Sequence, residues 1–300
     1  MVKKRSRSCP GVTTYLNTYL ETHVNRWVFI VSMVVTSLAL SACSVTVTEQ
    51  MIVSPSTEIN HDNLSLLIDQ AGYSESYINT QSGERLHSLA LNQNATQPTI
   101  LVLHGNALNL THQPWFGLLQ TLAELPYNVL AIDYQGFGLS SGEAGFSAMR
   151  ADTVNTLATL PDTSQVVVYG LSLGSVMALD ISQDMRVQGV ILEGAVTTDT
   201  AMIEEFRQRN TLGRFASVNV DEHISFDNTQ AVATLDKPVL IIHGDNDQNI
   251  PLSMGEALYA ASPMSNSVLY IVEGGGHADT FHIDNERFKQ KLNAFIQALK

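Results

Sequence analysis

Tyr169-Gly170-Leu171-Ser172-Leu173-Gly174-Ser175 is the segment of this chain best equipped for covalent chemistry. It fits G-x-S-x-G, follows the apolar run VVVY and precedes the helix-like run SVMALDIS. A serine on a sharp strand-to-helix turn presents its hydroxyl beyond the strand end, and small residues on either side leave room for the strained backbone. A hydroxyl is a weak nucleophile at neutral pH and needs a base. His277, in Glu273-Gly274-Gly275-Gly276-His277-Ala278-Asp279, is the expected base, because it follows the last apolar run, VLYIV, in a loop that three glycines can shape. His282 is the fallback. The base in turn needs an acid to hold its tautomer and stabilise the imidazolium. Asp247, in His243-Gly244-Asp245-Asn246-Asp247 after the apolar run PVLII, is the expected acid. Asp245 reads as a turn residue, and Glu193, at the end of GVILE, is a further alternative.

A carbonyl attacked by such a serine develops an oxyanion that preset donors must hold. The backbone N–H of Leu173, just after the nucleophile, is one expected donor. The other is the backbone N–H of Asn106 in His104-Gly105-Asn106-Ala107, the loop after TILVL. His104 reads as a brace for that loop rather than a reacting group. Trp115 and Phe116 read equally well as lining for an acyl pocket and as the start of a core helix.

These groups sit at the ends of short apolar runs. Thr99–Leu103, Asn128–Asp133, Val166–Tyr169, Gly189–Leu192, Val239–Ile242 and Val268–Val272 are strand candidates, and amphipathic stretches separate them. Phe146–Leu160 is one of these, with Phe146, Met149, Val154, Leu157 and Ala158 on one side. Strands apolar on both faces and separated by helices imply an α/β fold, with a parallel sheet covered on both sides. The segments SESYINT and GERLHSLALN, before residue 98, read as a hairpin feeding the sheet edge.

Seven segments in order carry a family resemblance: HGNA at 104–107, DYQGFGLSSG at 133–142, GLSLG at 170–174, ILEGA at 191–195, FDN at 226–228, HGDND at 243–247 and GGGH at 274–277. Together they resemble α/β hydrolases of the serine aminopeptidase-like, or Bem46-like, group. The order Ser172, Asp247, His277 matches that of α/β hydrolases. The resemblance implies the α/β-hydrolase fold with a mostly parallel eight-stranded sheet, the three residues above in catalytic roles, and hydrolysis of an acyl or peptide bond. Gln135 stands where the group's pattern normally has Arg. It reads as a surface turn, neutral for chemistry. Specificity in this fold usually lies in the insertion between ILEGA and PVLIIHG. Here residues 196–237 are short, which implies a minimal cap and an open pocket. Arg207, Arg209 and Arg214 in that segment could attract an acidic substrate or lipid headgroup, but read first as a solvated face beside Glu204 and Glu205.

Composition sets the outer limits. The chain has 300 residues and a net charge of −13, from 16 Lys and Arg against 29 Asp and Glu, which speaks against a nucleic-acid partner. Two cysteines, Cys9 and Cys43, are too few for a disulfide scaffold or a Cys-rich metal module. The histidines show neither HExxH nor paired ligand spacing, so no metal is expected, and no motif calls for a cofactor. Lys3, Lys4, Arg5, Arg7 and Arg26 precede the charge-free run WVFIVSMVVTSLAL, which ends in Leu40-Ser41-Ala42-Cys43. A basic segment, a short apolar segment and small residues make a secretory signal. The last four residues resemble the lipobox of bacterial lipoproteins. That resemblance implies acylation at Cys43, and Ser44 after it implies outer-membrane sorting; the alternative is an uncleaved membrane anchor, since charge-free sequence runs from Trp27 to Val47. The expected organisation is a signal over 1–42, a polar tether over 43–63 and one domain over 64–300. The expected location is the cell envelope, on the periplasmic face of the outer membrane, as a lipid-anchored monomer.

The leading expectation is a serine hydrolase of carboxylesterase type acting on a small acyl substrate, with thioesters also possible. A peptidase for short peptides is the second reading. It needs paired carboxylates to hold a free amino terminus, and the adjacent Glu204 and Glu205 do not face the same way on a helix. A catalytically inactive envelope scaffold is the third, and three triad residue types in three separate loops argue against it.

Overall fold

The computed structural model describes residues 44–107, 109–209 and 217–299. By contact the chain divides into residues 47–209 with 220–300, and residues 1–46 with 210–219. In the second unit the described residues belong to strands β1 (Ser44–Val47) and β8 (Ser217–Val220), which form a two-stranded sheet.

The first unit is built on eight strands: β2 (Ser74–Asn79), β3 (Arg85–Leu91), β4 (Thr99–Leu103), β5 (Asn128–Ile132), β6 (Val166–Leu171), β7 (Val187–Glu193), β9 (Val239–Gly244) and β10 (Val268–Val272). Their order across the sheet is β10-β9-β7-β6-β4-β5-β3-β2. β2 with β3 and β3 with β5 pair antiparallel, and the other neighbours are parallel. The expected hairpin is therefore β2–β3, on the sheet edge. Its turn closes where the Thr80 amide donates to Glu84 O at 2.8 Å, and Gly83 takes the left-handed conformation at φ 91°.

Parallel strands buried on both faces alternate their side chains between two apolar layers. Leu101, Leu103, Val166, Val168, Val190 and Leu192 enter one layer, with Phe146 and Met149 of α4 (Phe146–Ala158) and Val176 and Met177 of α5 (Gly174–Asp180). Ile100, Val102, Val167, Tyr169, Ile191 and Leu240 enter the other. There they meet Leu118, Leu119 and Leu122 of α3 (Trp115–Ala123) and Phe288, Leu292 and Phe295 of α10 (Asn285–Gln297). Helices thus cover both faces, as the strand pattern requires.

Two expectations change. In α4 the buried positions are Phe146, Met149, Asp152, Thr153, Thr156 and Leu157, whereas Val154 is 55% exposed and Ala158 is exposed. Polar residues hold the inner face because their groups are satisfied: the Thr153 and Thr156 hydroxyls donate to the carbonyls of Met149 and Asp152, and Asp152 accepts from Gln135. The stretch read as a tether is also more than a tether. It contains α1 (Glu49–Ile52) and the first residues of α2 (His61–Asp69), and Val53 is buried. The Gly138 amide donates to Ser56 O, and Asn109 Nδ2 donates to the carbonyls of Ser56 and Glu58. Its backbone carbonyls make contacts with neighbouring loops, while Ser54, Thr57, Glu58 and Asn60 stay exposed. Between β7 and β9 lie α6 (Asp199–Arg209), β8, a 3₁₀ turn (Glu222–Ile224) and α7 (Asn228–Ala233), and α8 (Leu252–Ala261) and α9 (Thr280–Ile283) precede α10. Among the described residues no helix is long and apolar enough to cross a membrane. The run WVFIVSMVVTSLAL and Cys43 lie outside them.

Candidate active site

Ser172 occupies the turn between β6 and α5 at φ 55°, a left-handed conformation that non-glycine residues seldom adopt. The neighbouring strand holds it there, because the Ser172 amide donates to Glu193 O at 2.8 Å. Its carbonyl accepts from the amide and hydroxyl of Ser175 at 3.0 and 2.6 Å. The flanking glycines have no room for a side chain. A Cβ on Gly174 would lie 2.1 Å from Leu103 O, and one on Gly170 would lie 2.4 Å from Gly174 O.

His277 arrives on the loop after β10 and Asp247 on the loop after β9. The Ser172 hydroxyl donates to His277 Nε2 at 2.9 Å, and His277 Nδ1 donates to Asp247 Oδ2 at 2.8 Å. The tautomer follows from that acceptor, since a carboxylate at Nδ1 requires the proton there. Asp247 is itself fixed: its Oδ1 accepts the amides of Asn249 and Ile250 at 2.7 and 2.9 Å. Burial pushes its carboxyl upward, but the hydrogen bond and charge of His277 and these two amides outweigh burial and hold it below the ordinary aspartate value. The two loops must touch for this to happen. A Cβ on Gly244 would lie 2.1 Å from Gly275 O, and one on Gly194 would lie 3.1 Å from His277 Nδ1. Asp245 takes the turn role expected of it, accepting the Gly274 amide at 2.7 Å. His282 is exposed, with its ring against Phe281, away from this chain of hydrogen bonds.

The loop 104–107 lies against Ser172. A Cβ on Gly105 would come within 2.9 Å of both Leu171 O and the Ser172 Cβ. Among the described residues, neither the Asn106 nor the Leu173 amide is paired with a protein acceptor. His104 braces the loop: it is fully buried, its Nδ1 donates to Gly105 O at 2.7 Å, and its ring packs 4.5 Å from Tyr134 and 5.6 Å from Trp115. Burial pushes its imidazole below the ordinary value, against the opposing influence of Asp133. Trp115 and Phe116 are buried at the start of α3, and the Trp115 ring lies 3.4 Å from where a Cβ on Gly105 would stand, beside Ser172.

Glu193 is not the acid partner of His277. It is fully buried at the end of β7, and its two carboxylate oxygens accept from the Thr280 and Tyr169 hydroxyls. Burial pushes it up to about 7, against the lowering influence of those hydroxyls and of His277. A carboxylate ending an apolar strand was the signal for it, but spacing alone does not tell an acid partner from a buried clasp. Gln135 stands in a turn, as expected, and is half-buried there. Its amide N–H and side chain both donate to the buried Asp152 at 2.7 Å, and Asp152 is pushed up to about 6 by burial. On α6 the Arg207 guanidinium donates to Glu204 at 2.9 Å, consistent with a solvated face, while Arg214 lies outside the described residues. No group of three or more His, Cys, Asp or Glu among the described residues is arranged to hold a metal.

The comparisons agree with this architecture. The family model for the alpha/beta hydrolase fold matches residues 98–212. Over 187 residues the chain is 28% identical to alpha/beta hydrolase domain-containing protein 17C from Homo sapiens and from Xenopus tropicalis, a span of 60% of this chain. That span covers 53% and 56% of those relatives, about half their length. Among solved structures, an esterase from Pyrococcus furiosus superposes with a TM-score of 0.65 at 18% identity, covering 82% of this chain and 99% of that one. An esterase from Rhodococcus superposes with a TM-score of 0.58 at 22% identity, covering 76% and 100%. Mouse alpha/beta hydrolase domain-containing protein 10 gives 0.61 at 16%, again covering 76% and 100%. The chain has the alpha/beta-hydrolase fold, and over residues 98–212 it carries the sequence pattern of that family.

Proposed function

We propose that this protein is a serine hydrolase that cleaves an ester through an acyl-enzyme on Ser172. The observation that carries the reading is the continuous chain from Ser172 Oγ to His277 at 2.9 Å and from His277 to Asp247 at 2.8 Å. Ser172 attacks the substrate carbonyl while His277 takes its proton, Asp247 stabilises the imidazolium, and the amides of Leu173 and Asn106 hold the oxyanion. His277 returns the proton to the leaving group, then activates the water that opens the acyl-enzyme. The esterases among the superposed structures favour an ester over a peptide bond. Glu204 and Glu205 are adjacent on α6 and do not face the same way, which disfavours a paired clamp for a free amino terminus. Thioesters fit the same machinery. The substrate is a small acyl compound, and the protein works as a monomer held at the periplasmic face of the outer membrane by a lipid on Cys43.

The deciding experiment labels the full-length protein with a fluorophosphonate probe beside Ser172→Ala, with p-nitrophenyl butyrate and an aminoacyl-anilide as substrates. Labelling of the wild type alone, with ester turnover, supports the reading. Absence of labelling in folded wild-type protein overturns it, and turnover of the anilide alone moves it to peptidase. Labelled cells grown with a palmitate analogue test the anchor: incorporation that disappears in Cys43→Ala is expected.

A further inference from the structure

The chain just before α2 crosses the loop that carries the Asn106 amide. This strap, residues 47–58, is held at several points. Glu49 accepts from the Ser147 hydroxyl at 2.7 Å, Val53 is buried, and Ser56 and Glu58 present carbonyls to Gly138 and Asn109. Its middle is gripped by one side chain of the catalytic loop. Asn106 Oδ1 accepts the Ser54 amide at 2.8 Å, and Asn106 Nδ2 donates to Ile52 O at 2.5 Å. The donor and acceptor it engages lie on either side of Val53. This is the pattern one strand presents to its neighbour, so the Asn106 carboxamide acts as a one-residue stand-in for a β partner.

The grip falls where the loop most needs external support. Ala107, the next residue, has φ 61°, a left-handed conformation unfavourable for a residue with a Cβ. Such a conformation persists only when its surroundings over-determine it. On the near side Gly105 touches Ser172 and His104 braces Gly105. On the far side the strap contributes the clasp on Asn106.

From this geometry we infer that the Asn106 side chain is a positioning group for catalysis, with strap residues Ile52 and Ser54 as its partners. Resting on the serine-hydrolase reading above, the clasp fixes the direction of the Asn106 amide, and the strap is thereby a working wall of the active site. An oxyanion donor acts through its direction, so rotating Asn106 weakens transition-state binding while leaving the substrate's ground-state binding in place. The Asn106 side chain touches no reacting atom. Its backbone N–H does that work.

The test compares full-length wild type, Asn106→Ala and Ser54→Pro. The first removes both clasp bonds from the loop side. The second removes the strap N–H without altering the loop. Each preparation is titrated with a fluorophosphonate, so that kcat for p-nitrophenyl butyrate refers to competent sites only and an unfolded fraction drops out. The expected result is a fall in kcat of about tenfold or more with KM little changed, and slower fluorophosphonate labelling to the same final stoichiometry. A merely structural clasp predicts fewer titratable sites of wild-type kcat, and that result overturns the inference. So does a loss carried by KM alone. Should Asn106→Ala fail to fold, Ser54→Pro decides on the same criteria. Wild type that does not label at all defeats the serine-hydrolase reading itself, a different outcome from wild type and variants that turn over alike.

Discussion

Glu193 receives the Ser172 amide on its backbone carbonyl at 2.8 Å, while its side chain accepts from Tyr169 on β6 and from Thr280 beyond His277. One buried residue therefore ties the elbow to the histidine loop. Its carboxyl is pushed up to about 7 by burial, and its negative form is favoured by His277. Glu193→Gln keeps the size and removes the charge. We expect kcat/KM to fall several-fold at pH 8, where the wild-type carboxylate supports the imidazolium, and little at pH 6, where the carboxyl is mostly protonated. A ratio of variant to wild type that is flat across pH contradicts this. The stability effect has the opposite sense. A carboxyl raised in the folded state stabilises fully below its unfolded value, and that contribution is lost as pH rises through about 7. A shift of that size corresponds to about 3 kcal/mol, so Glu193→Gln should gain thermal stability relative to wild type between pH 5 and pH 8 by up to about that amount.

Asp245 and Asp247 lie two residues apart and do different work, the first on the Gly274 amide and the second on His277. Asp247→Asn should cut kcat by about ten-thousand-fold, because an amide at that place favours the wrong imidazole tautomer. Asp245→Asn loses one charge-assisted bond to a loop amide and should keep activity within about tenfold, with a stability loss of about 1 kcal/mol. Equal losses of kcat in the two variants reject this assignment. Asp247 lies below its ordinary value, so its stabilising contribution is present above the unfolded value and is lost as pH falls through the folded one.

The parts of this site that were readable in the sequence are those with a local cause. Ser172 announces itself because its turn demands glycines at 170 and 174, and the structure places backbone oxygens within 2.4 Å of where their Cβ atoms would stand. The strands announce themselves because burial on both faces requires unbroken apolar runs. What was not readable depends on contacts distant along the chain. Nothing near residue 50 in the sequence signals that Ser54 meets Asn106, and a polar composition reads the same for a tether as for a strap whose partners are loop amides. The inner face of α4 escaped for a similar reason. Asp152 can be buried only because Gln135, seventeen residues earlier, donates to it twice.

That pair yields a third expectation. Burial pushes Asp152 up to about 6, and Gln135 offers it hydrogen bonds without charge. Gln135→Arg supplies the charge. Above pH 6 the folded carboxylate gains an ion partner, and the variant should be more stable by about 1 kcal/mol, which for a domain of this size raises Tm by about 3 °C. At pH 4 the carboxyl is protonated and the gain disappears. Thermal melts of both proteins at pH 4 and pH 8 check this. A gain at both pH values assigns the effect to packing, and no gain at pH 8 rejects the pairing.

Gly105→Ala probes the oxyanion loop from the side opposite the strap. The added methyl would stand 2.9 Å from Leu171 O and from the Ser172 Cβ, closer than any relaxed contact. Neither neighbour yields easily. Leu171 is in β6, and Ser172 is held by Glu193 O. The loop must therefore move outward, taking the Asn106 amide with it. Overpacking of this kind costs about 1–3 kcal/mol, which leaves a folded protein in which the donor is displaced. Loss of one oxyanion donor lowers kcat by about a hundredfold to a thousandfold, and a displaced donor should fall at or below the lower figure. The measurement is kcat on p-nitrophenyl butyrate together with Tm. Activity near wild type with a lowered Tm would mean either that the strain is absorbed in β6 and the loop stays in place, or that the loop moves and the Asn106 amide is not the donor.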